Sequence, residues 1–590
     1  MKRPRKKVRA NAYIISESSS SDAPERLHAS NIHIQAGGAS RRPAARARVR
    51  ILMVSVIFMF MFTGLVVRLG YVSFGELDRT LHLASMQLRD VVRPEIVDRN
   101  GVLLATDLPI IALEVAGKEV WDAEETVRLL AEIVPDIDQE KLLTKIAEGR
   151  YVEVRSDITP ANRREIFALG LPGVRFSSRT TRFFPNRSLA AHVVGYDEPG
   201  KGGVMGLEKQ ANEWSDASPM RASIDIRVQQ VLEEELATTM KTFSAIAAWG
   251  AIMNVHTGEV VALASLPDFD PNTPGAFSDD MRRNRATYDR YELGSAFKPF
   301  TAAAALNEGL AAENSTYDAR GSFRIADRVI NDFHGENRVL SFSEVIQHSS
   351  NIGMARIAHD LGASMQKKYL DSLGMFEALP IELDENRPTQ LPNQWGPVET
   401  ATISYGHGIS VTPLHLLSAF SAVVNGGIYR TPTFYHQQNG AGQSDNRVYS
   451  EETSITMRRV LRRVITDGTA SAAEVSGYYP IGKTATADKP ENGSYDRNTR
   501  IASFVGAAPG YAPEYAVLVS FDEPQPTKET FGYATAGWNA APTFSRIVER
   551  IAPLLQLHSA SEAQAMHAFV SGQAPFMRES RLQDFAEHVQ

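Results

Sequence analysis

Residues 291–301 read Tyr-Glu-Leu-Gly-Ser-Ala-Phe-Lys-Pro-Phe-Thr, and the tetrad Ser295-Ala296-Phe297-Lys298 within them decides how the rest of the chain is read. A serine hydroxyl is a weak nucleophile until a neighbour takes its proton. A lysine three residues later shares the serine's face of a helix. It becomes a usable base once burial strips its own proton near neutral pH. Gly294 permits a tight turn into the segment, and the Ala-rich run to Leu306 predicts a helix. The start of that helix offers N–H groups and a positive dipole end to a developing oxyanion. Alone the tetrad carries little weight, because chance supplies one in a chain this long; Ser364-Met365-Gln366-Lys367 is a second instance.

Two further elements follow in order. Ser349-Ser350-Asn351, 54 residues on from Ser295, opens a predicted helix to about Leu361. Its first serine and its asparagine can aim a hydroxyl and an amide into one cleft. Lys483-Thr484-Ala485-Thr486-Ala487, a further 134 residues on, follows Gly482 on a predicted strand. Alternation sends Thr484 and Thr486 to one face. Hydroxyls beside a lysine suit a substrate carboxylate. Ser444-Asp445-Asn446 looks like the second element by letters, but it lies in the polar stretch 439–446 and reads as a surface loop.

Outward from these motifs, strands are predicted at 249–255 and 259–265, joined by His256-Thr257-Gly258, and again at 478–487, 501–507 and 515–521. Helices are expected at 225–236 and from 541 to about 555. Strands first, helices inserted, strands last: this is an α+β pattern, an antiparallel sheet with helices beside it and a helical subdomain within the chain. Upstream, 96–105 reads as strand, Asn-Gly turn, strand. Residues 124–133 and 138–148 read as amphipathic helices, and no catalytic set stands out before 216. Five segments result: a basic segment 1–50, a membrane helix 51–70, a pedestal 71–215, a catalytic domain 216–555 and a polar tail 556–590.

The 590 residues are 43% hydrophobic and 22% charged, with no cysteine, which excludes disulfides and thiolate metal sites. Net charge is −7, yet residues 1–50 hold twelve Lys/Arg against Glu17, Asp22 and Glu25, so the remainder carries −16. Residues 51–67 are uncharged and almost wholly apolar, directly after Arg41, Arg42, Arg46, Arg48 and Arg50. A helix of about 20 such residues spans a bilayer, and the arginines orient the N-terminus inward. The expectation is a single-pass inner-membrane protein with its catalytic bulk in the periplasm. Residues 1–50 lack the interleaved aromatics of a nucleic-acid arm. The fourteen histidines show no metal-ligand spacing; His334 and His407 read as structural, and no cofactor is expected.

The ordered set S-x-x-K, S-x-N and K-T-(G) resembles the active-site motifs of penicillin-binding proteins and serine β-lactamases. RPEIVDRNGVLLA at 93–105, Arg182, His192, Gly195 and GVMGLE at 203–208 resemble the pedestal of class B penicillin-binding proteins. Asn284-Arg285-Ala286, Tyr405-Gly406-His407-Gly408 and Asn425-Gly426-Gly427 resemble their transpeptidase domain, and TAGWNAAP at 535–542 the division-specific FtsI-type branch. The chain departs from the pattern at Ala485, where the family has glycine, and a methyl group there could crowd the neighbouring helix.

The resemblance implies a peptidoglycan D,D-transpeptidase acting on stem peptides ending in D-alanyl-D-alanine, and sensitive to β-lactams. Ser295 is then the nucleophile, Lys298 its base, Ser349 the proton relay, Lys483 its polarising neighbour and Asn351 a substrate or Lys298 contact. Thr484 and Thr486 hold the terminal carboxylate, beside Ala485. The implied partners are a membrane glycosyltransferase of the FtsW type and other division proteins, with no nucleic acid and no metal. An elongation-specific enzyme, a divisome scaffold weakened by Ala485 and a hydrolytic β-lactamase are the alternatives.

Overall fold

The computed structural model describes residues 53, 55–66, 68, 93–216, 218–437, 446–491 and 494–573. Two compact units, Met1–Arg89 and Asp90–Gln590, divide the chain. In the first, residues 53, 55–66 and 68 are helical. The remainder of the expected 51–70 span lies outside the described residues, as do residues 1–50. Among the described residues, no helix is long and apolar enough to cross a membrane.

In the second unit, the Asn100-Gly101 turn joins β1 (Ile96–Val97) to β2 (Leu103–Ala116), which pair antiparallel. Gly101 adopts φ +89, a conformation that L side chains resist. β2 also pairs with β3 (Tyr151–Arg155) and, over ten residues, with β4 (Val174–Phe183). The expected amphipathic helices form as α1 (Ala123–Ile133) and α2 (Gln139–Ala147), each capped by an aspartate, Asp122 and Asp138. Their apolar faces bury Val127, Leu130, Leu142 and Ile146 in a core of their own.

The pedestal motif residues converge on one buried ion cluster. Arg182 Nε donates to Glu208 Oε1 at 2.8 Å, and Arg93 Nη1 to Glu208 Oε2 at 3.0 Å. Arg182 Nη1 reaches Asp107 at 3.1 Å. The side chains of Arg182 and Glu208 have no solvent exposure. Residues from 93, 107, 182 and 208 are thereby fastened together, although no spacing pairs them in the sequence. Removing one partner strands a buried charge, which costs about 3–5 kcal/mol. Glu208→Ala is therefore expected to lower the unfolding midpoint of the purified protein by several degrees in a thermal or urea melt; an unchanged midpoint would mean the cluster contributes nothing.

The larger core is built on a five-stranded sheet. β5 (Ala247–Asn254) and β6 (Val260–Leu266) form the predicted hairpin, and β7 (Ile481–Glu491), β8 (Ser494–Ala508) and β9 (Tyr515–Asp522) complete the order β7-β8-β9-β5-β6. β7 is thus an edge strand, with one side unpaired by the sheet. The strand begins at Ile481 rather than 478 because Tyr479 turns at φ +44 and Pro480 follows. Helix α3 (Ile226–Thr242), capped by Asp225, packs on the sheet together with α7 (Ala540–Ile551). The inserted subdomain supplies α4 (Lys298–Asn307), α5 (Asn351–Leu361) and α6 (Pro413–Val424), the last of them buried along its whole length. Ahead of α7 in the chain, Glu451–Thr466 forms a long helix against β7. Within the polar tail, Glu562–Ser571 forms a helix, α8, with a Ser561/Gln564 capping box. Small residues Ala565 and Ala568 and the ring of Phe569 bury its inner face, a pattern too weak in hydrophobicity to flag a helix.

Candidate active site

Three segments meet at the edge strand. Ser295 sits in a turn of 3₁₀ helix, Gly294–Phe297, which leads directly into α4. Gly294 has φ +50, and a Cβ there would lie 3.3 Å from Ala487 Cβ on β7. On its other side, a Cβ on Gly406 would collide with the Gly294 carbonyl, so the Tyr405–Gly408 loop lies tight against the serine's turn. Lys298 opens α4 and is fully buried.

Ser349 precedes α5 in the left-handed conformation, φ +59, unusual for a residue with a side chain. What holds it is the cap that follows. Ser350 Oγ accepts from Gly353 N at 3.0 Å. Asp332, in the loop beyond the strand Arg328–Ile330, accepts from Ser350 Oγ at 2.7 Å, from Ile352 N at 3.0 Å and from Asn351 N. A carboxylate on a helix N-terminus is favourable for both hydrogen bonding and the dipole. Sequence reasoning missed Asp332, a lone aspartate seventeen residues upstream of the motif that it anchors. Asn351 Nδ2 faces the Asn331 carbonyl at 3.4 Å.

The side chains converge on Ser349 Oγ. It lies 2.9 Å from Ser295 Oγ, 3.0 Å from Lys298 Nζ and 3.1 Å from Lys483 Nζ. Lys298 Nζ also donates to the Ser349 carbonyl, and Lys483 Nζ to the Thr484 carbonyl at 3.1 Å. Neither lysine is exposed. Burial, then the charge of Lys483, holds the Lys298 amine far below the ordinary lysine range; Asp332 opposes this weakly. Burial brings Lys483 down to about 7. Two ammonium groups do not share one hydroxyl comfortably, so the cluster favours one neutral and one charged lysine at neutral pH. His407 is pulled below its usual range by burial, with Glu292 opposing and Lys298 reinforcing the shift. It lies in the electrostatic field of the site.

On β7, alternation places Lys483, Ala485 and Ala487 on the face toward the serine's turn, and Thr484 and Thr486 on the other. Ala485 is only 3% exposed and packs in the main core. The methyl that replaces the family's glycine is thus housed inside, away from the exposed Thr486 side. Thr484 Oγ1 is 2.6 Å from Thr469 Oγ1, and Thr486 Oγ1 accepts from Ala536 N at 3.1 Å. The TAGWNAAP segment is therefore docked on the strand. The competing motifs fall elsewhere. Ser364 and Lys367 lie on the helix Ala363–Ser372, with the Lys367 ammonium 5.2 Å over the Trp395 ring. Ser444 and Asp445 lie outside the described residues. Among the described residues, no cluster of His, Asp or Glu is arranged to hold a metal ion.

A serine, two buried lysines and a second serine against an edge strand define a serine acyltransferase of the penicillin-recognising fold. Comparison with known proteins agrees. A family described as "Penicillin binding protein transpeptidase domain" matches residues 249–549, and "Penicillin-binding Protein dimerisation domain" matches 89–213. The "Probable peptidoglycan D,D-transpeptidase FtsI" of Caulobacter vibrioides is 37% identical, covering 89% of this chain and 91% of that protein. "Stage V sporulation protein D" of Bacillus subtilis is 31% identical over 86% of each chain, and FtsI of Escherichia coli K12 28% identical over 75% and 81%. The apo transpeptidase domain of Burkholderia pseudomallei penicillin-binding protein 3 superposes with TM-score 0.52 at 31% identity, covering 58% of this chain and 98% of that one. The chain belongs to the penicillin-binding protein transpeptidase family, as a class B protein of the FtsI type.

Proposed function

We propose that this protein is a peptidoglycan D,D-transpeptidase of septal wall synthesis, with Ser295 as the residue acylated by the donor stem peptide. The observation that carries the site assignment is the placement of Ser349 Oγ within 3.1 Å of Ser295 Oγ, Lys298 Nζ and Lys483 Nζ. Neutral Lys298 takes the Ser295 proton through the Ser349 hydroxyl as Ser295 Oγ bonds to the penultimate carbonyl. The N–H groups of Ser295 and Thr486 face the resulting oxyanion, each such donor being worth about 3–4 kcal/mol. Collapse breaks the peptide bond, and the proton returns along the same path to the departing D-alanine amine. Charged Lys483 keeps the relay hydroxyl polarised. Thr484 and Thr486 take the terminal carboxylate, and Asn351 orients the donor amide. An acceptor amine then attacks the ester and gives its proton to Lys298, which returns it through the Ser349 hydroxyl to Ser295 Oγ as the acyl–oxygen bond breaks.

The domain plan of segments 1–50, 51–70, 71–215, 216–555 and 556–590 forms part of this reading. So does a periplasmic catalytic domain on a single inner-membrane anchor with a cytoplasmic N-terminus. The anchor is supported by the arginine cluster before residue 51 and by the helical residues 57–62, whose apolar side chains are 63–75% exposed. An FtsW-type glycosyltransferase is the matching partner, because cross-linking needs a supply of new glycan. The test is a peptide map of the full-length protein after incubation with benzylpenicillin. A stable adduct on the peptide carrying Ser295 is expected. An adduct elsewhere, or rapid hydrolysis of the drug with no adduct, would refute the reading.

A further inference from the structure

The acylation cluster leaves an ion pair at the far end of the edge strand without a role. Asp488 lies on β7 two residues beyond Thr486, on the same face and about 7 Å along the strand. Its cross-strand partner on β8 is Arg500, whose Nε donates to Asp488 Oδ1 at 2.9 Å; each side chain is 34% exposed. The loop that carries Asp332 contributes Phe333, 74% exposed, whose ring centre is 6.0 Å from the Arg500 guanidinium carbon. The charge of Asp488 is felt at His407, as is that of Lys298. The pair therefore lies where the open edge of β7 meets the Asp332 loop.

An extended peptide binds an open sheet edge as an added strand, with alternate side chains entering separate pockets. A donor with its terminal carboxylate at Thr484 and Thr486 and its penultimate carbonyl at Ser295 continues along β7 toward Asp488. Its third residue then arrives at the ion pair. We propose that Asp488, Arg500 and Phe333 form a subsite for the third residue of the donor stem peptide, one that selects a side chain ending in both an ammonium and a carboxylate. Asp488 complements the ammonium, the guanidinium complements the carboxylate, and the Phe333 ring covers the intervening methylenes. A side chain with an amine alone meets Asp488 and lacks a group for Arg500. This inference rests on the transpeptidase reading above.

The test uses the full-length protein in detergent with three synthetic pentapeptides, L-Ala-γ-D-Glu-X-D-Ala-D-Ala. X is meso-diaminopimelate, its side-chain carboxamide or L-lysine, and the readout is D-alanine release. Labelling by fluorescent penicillin in the same samples reports whether the acylation cluster is intact. Partly exposed charge-assisted contacts predict a preference of about tenfold in kcat/KM for diaminopimelate over both others. Arg500→Ala is expected to bring the three peptides within about twofold, and Arg500→Lys to restore part of the preference. Equal preference in wild type and Arg500→Ala overturns the subsite, as does loss of labelling in step with peptide turnover, which would assign Arg500 to holding the strand. A wild-type protein that takes no label and releases no D-alanine refutes the transpeptidase reading itself; one that takes label without discriminating refutes the subsite alone.

Discussion

Ser295→Ala is expected to remove covalent labelling by fluorescent penicillin entirely, while Ser364→Ala leaves the labelling rate unchanged. The asymmetry follows from surroundings, since both serines are followed by lysine at the third position. Ser295 Oγ is 2.9 Å from a hydroxyl that two buried amines contact. Lys367, in contrast, lies over the Trp395 ring on the helix Ala363–Ser372, outside the cluster around Ser349. Under the proposed function, a variant without a nucleophile still binds the drug through Lys483, Thr484 and Thr486, but no ester can form. The loss is therefore complete rather than graded, unlike that for a residue which only lowers a barrier. Gel fluorescence after denaturation separates the two outcomes, because only a covalent adduct survives. Label that persists in Ser295→Ala, for instance on Ser349, would mean that the relay hydroxyl is the true nucleophile.

The sequence made the catalytic letters legible because each depends on short-range chemistry: a helical turn between Ser295 and Lys298, an alternation along 483–487. The β5–β6 hairpin and the Asn100-Gly101 turn were legible for a similar reason, since turn residues act locally. What stayed hidden depends on contacts between distant segments. Asp332 looks like any loop aspartate until the fold sets it on the N-terminus of α5, where it anchors the turn holding Ser349 at φ +59. Arg93, Arg182 and Glu208 stood in motifs, yet nothing in their spacing discloses that they share one buried ion cluster. Asp488 and Arg500 face each other only through the β7–β8 register. Alternation from Lys483 alone puts Ala485 on the lysine's face of the strand, where its methyl is buried in the main core. Helix α8 escaped notice because alanines bury its face with little hydrophobic signal.

Lys298→Met should cost about 10³-fold in the rate of acylation by penicillin, within the span general-base catalysis supplies, and should change two pH dependences at once. In the wild type the base must be neutral, so acylation rises as pH climbs through the depressed titration of Lys298. It then declines as Lys483, brought to about 7, loses the charge that polarises Ser349. The variant retains only the second limb. Stability gives an independent reading. A lysine whose folded pKa lies below its unfolded value binds fewer protons when folded, so stability rises with pH between those values. For Lys298 the window runs from its depressed pKa up to the ordinary lysine range near 10.5. Across it each such lysine contributes a slope of about 1.4 kcal/mol per pH unit. Urea melts of wild type and Lys298→Met between pH 7 and 9 should therefore diverge at about that slope, the variant gaining less as pH rises. Replacing Lys298 also leaves the Ser349 carbonyl without its donor, a cost that does not vary with pH and so shifts the two curves without altering their divergence. Parallel stability curves would show that Lys298 is charged in the folded protein at neutral pH. In that case the neutral-amine route could not operate, and the proton of Ser295 would have to leave by another base.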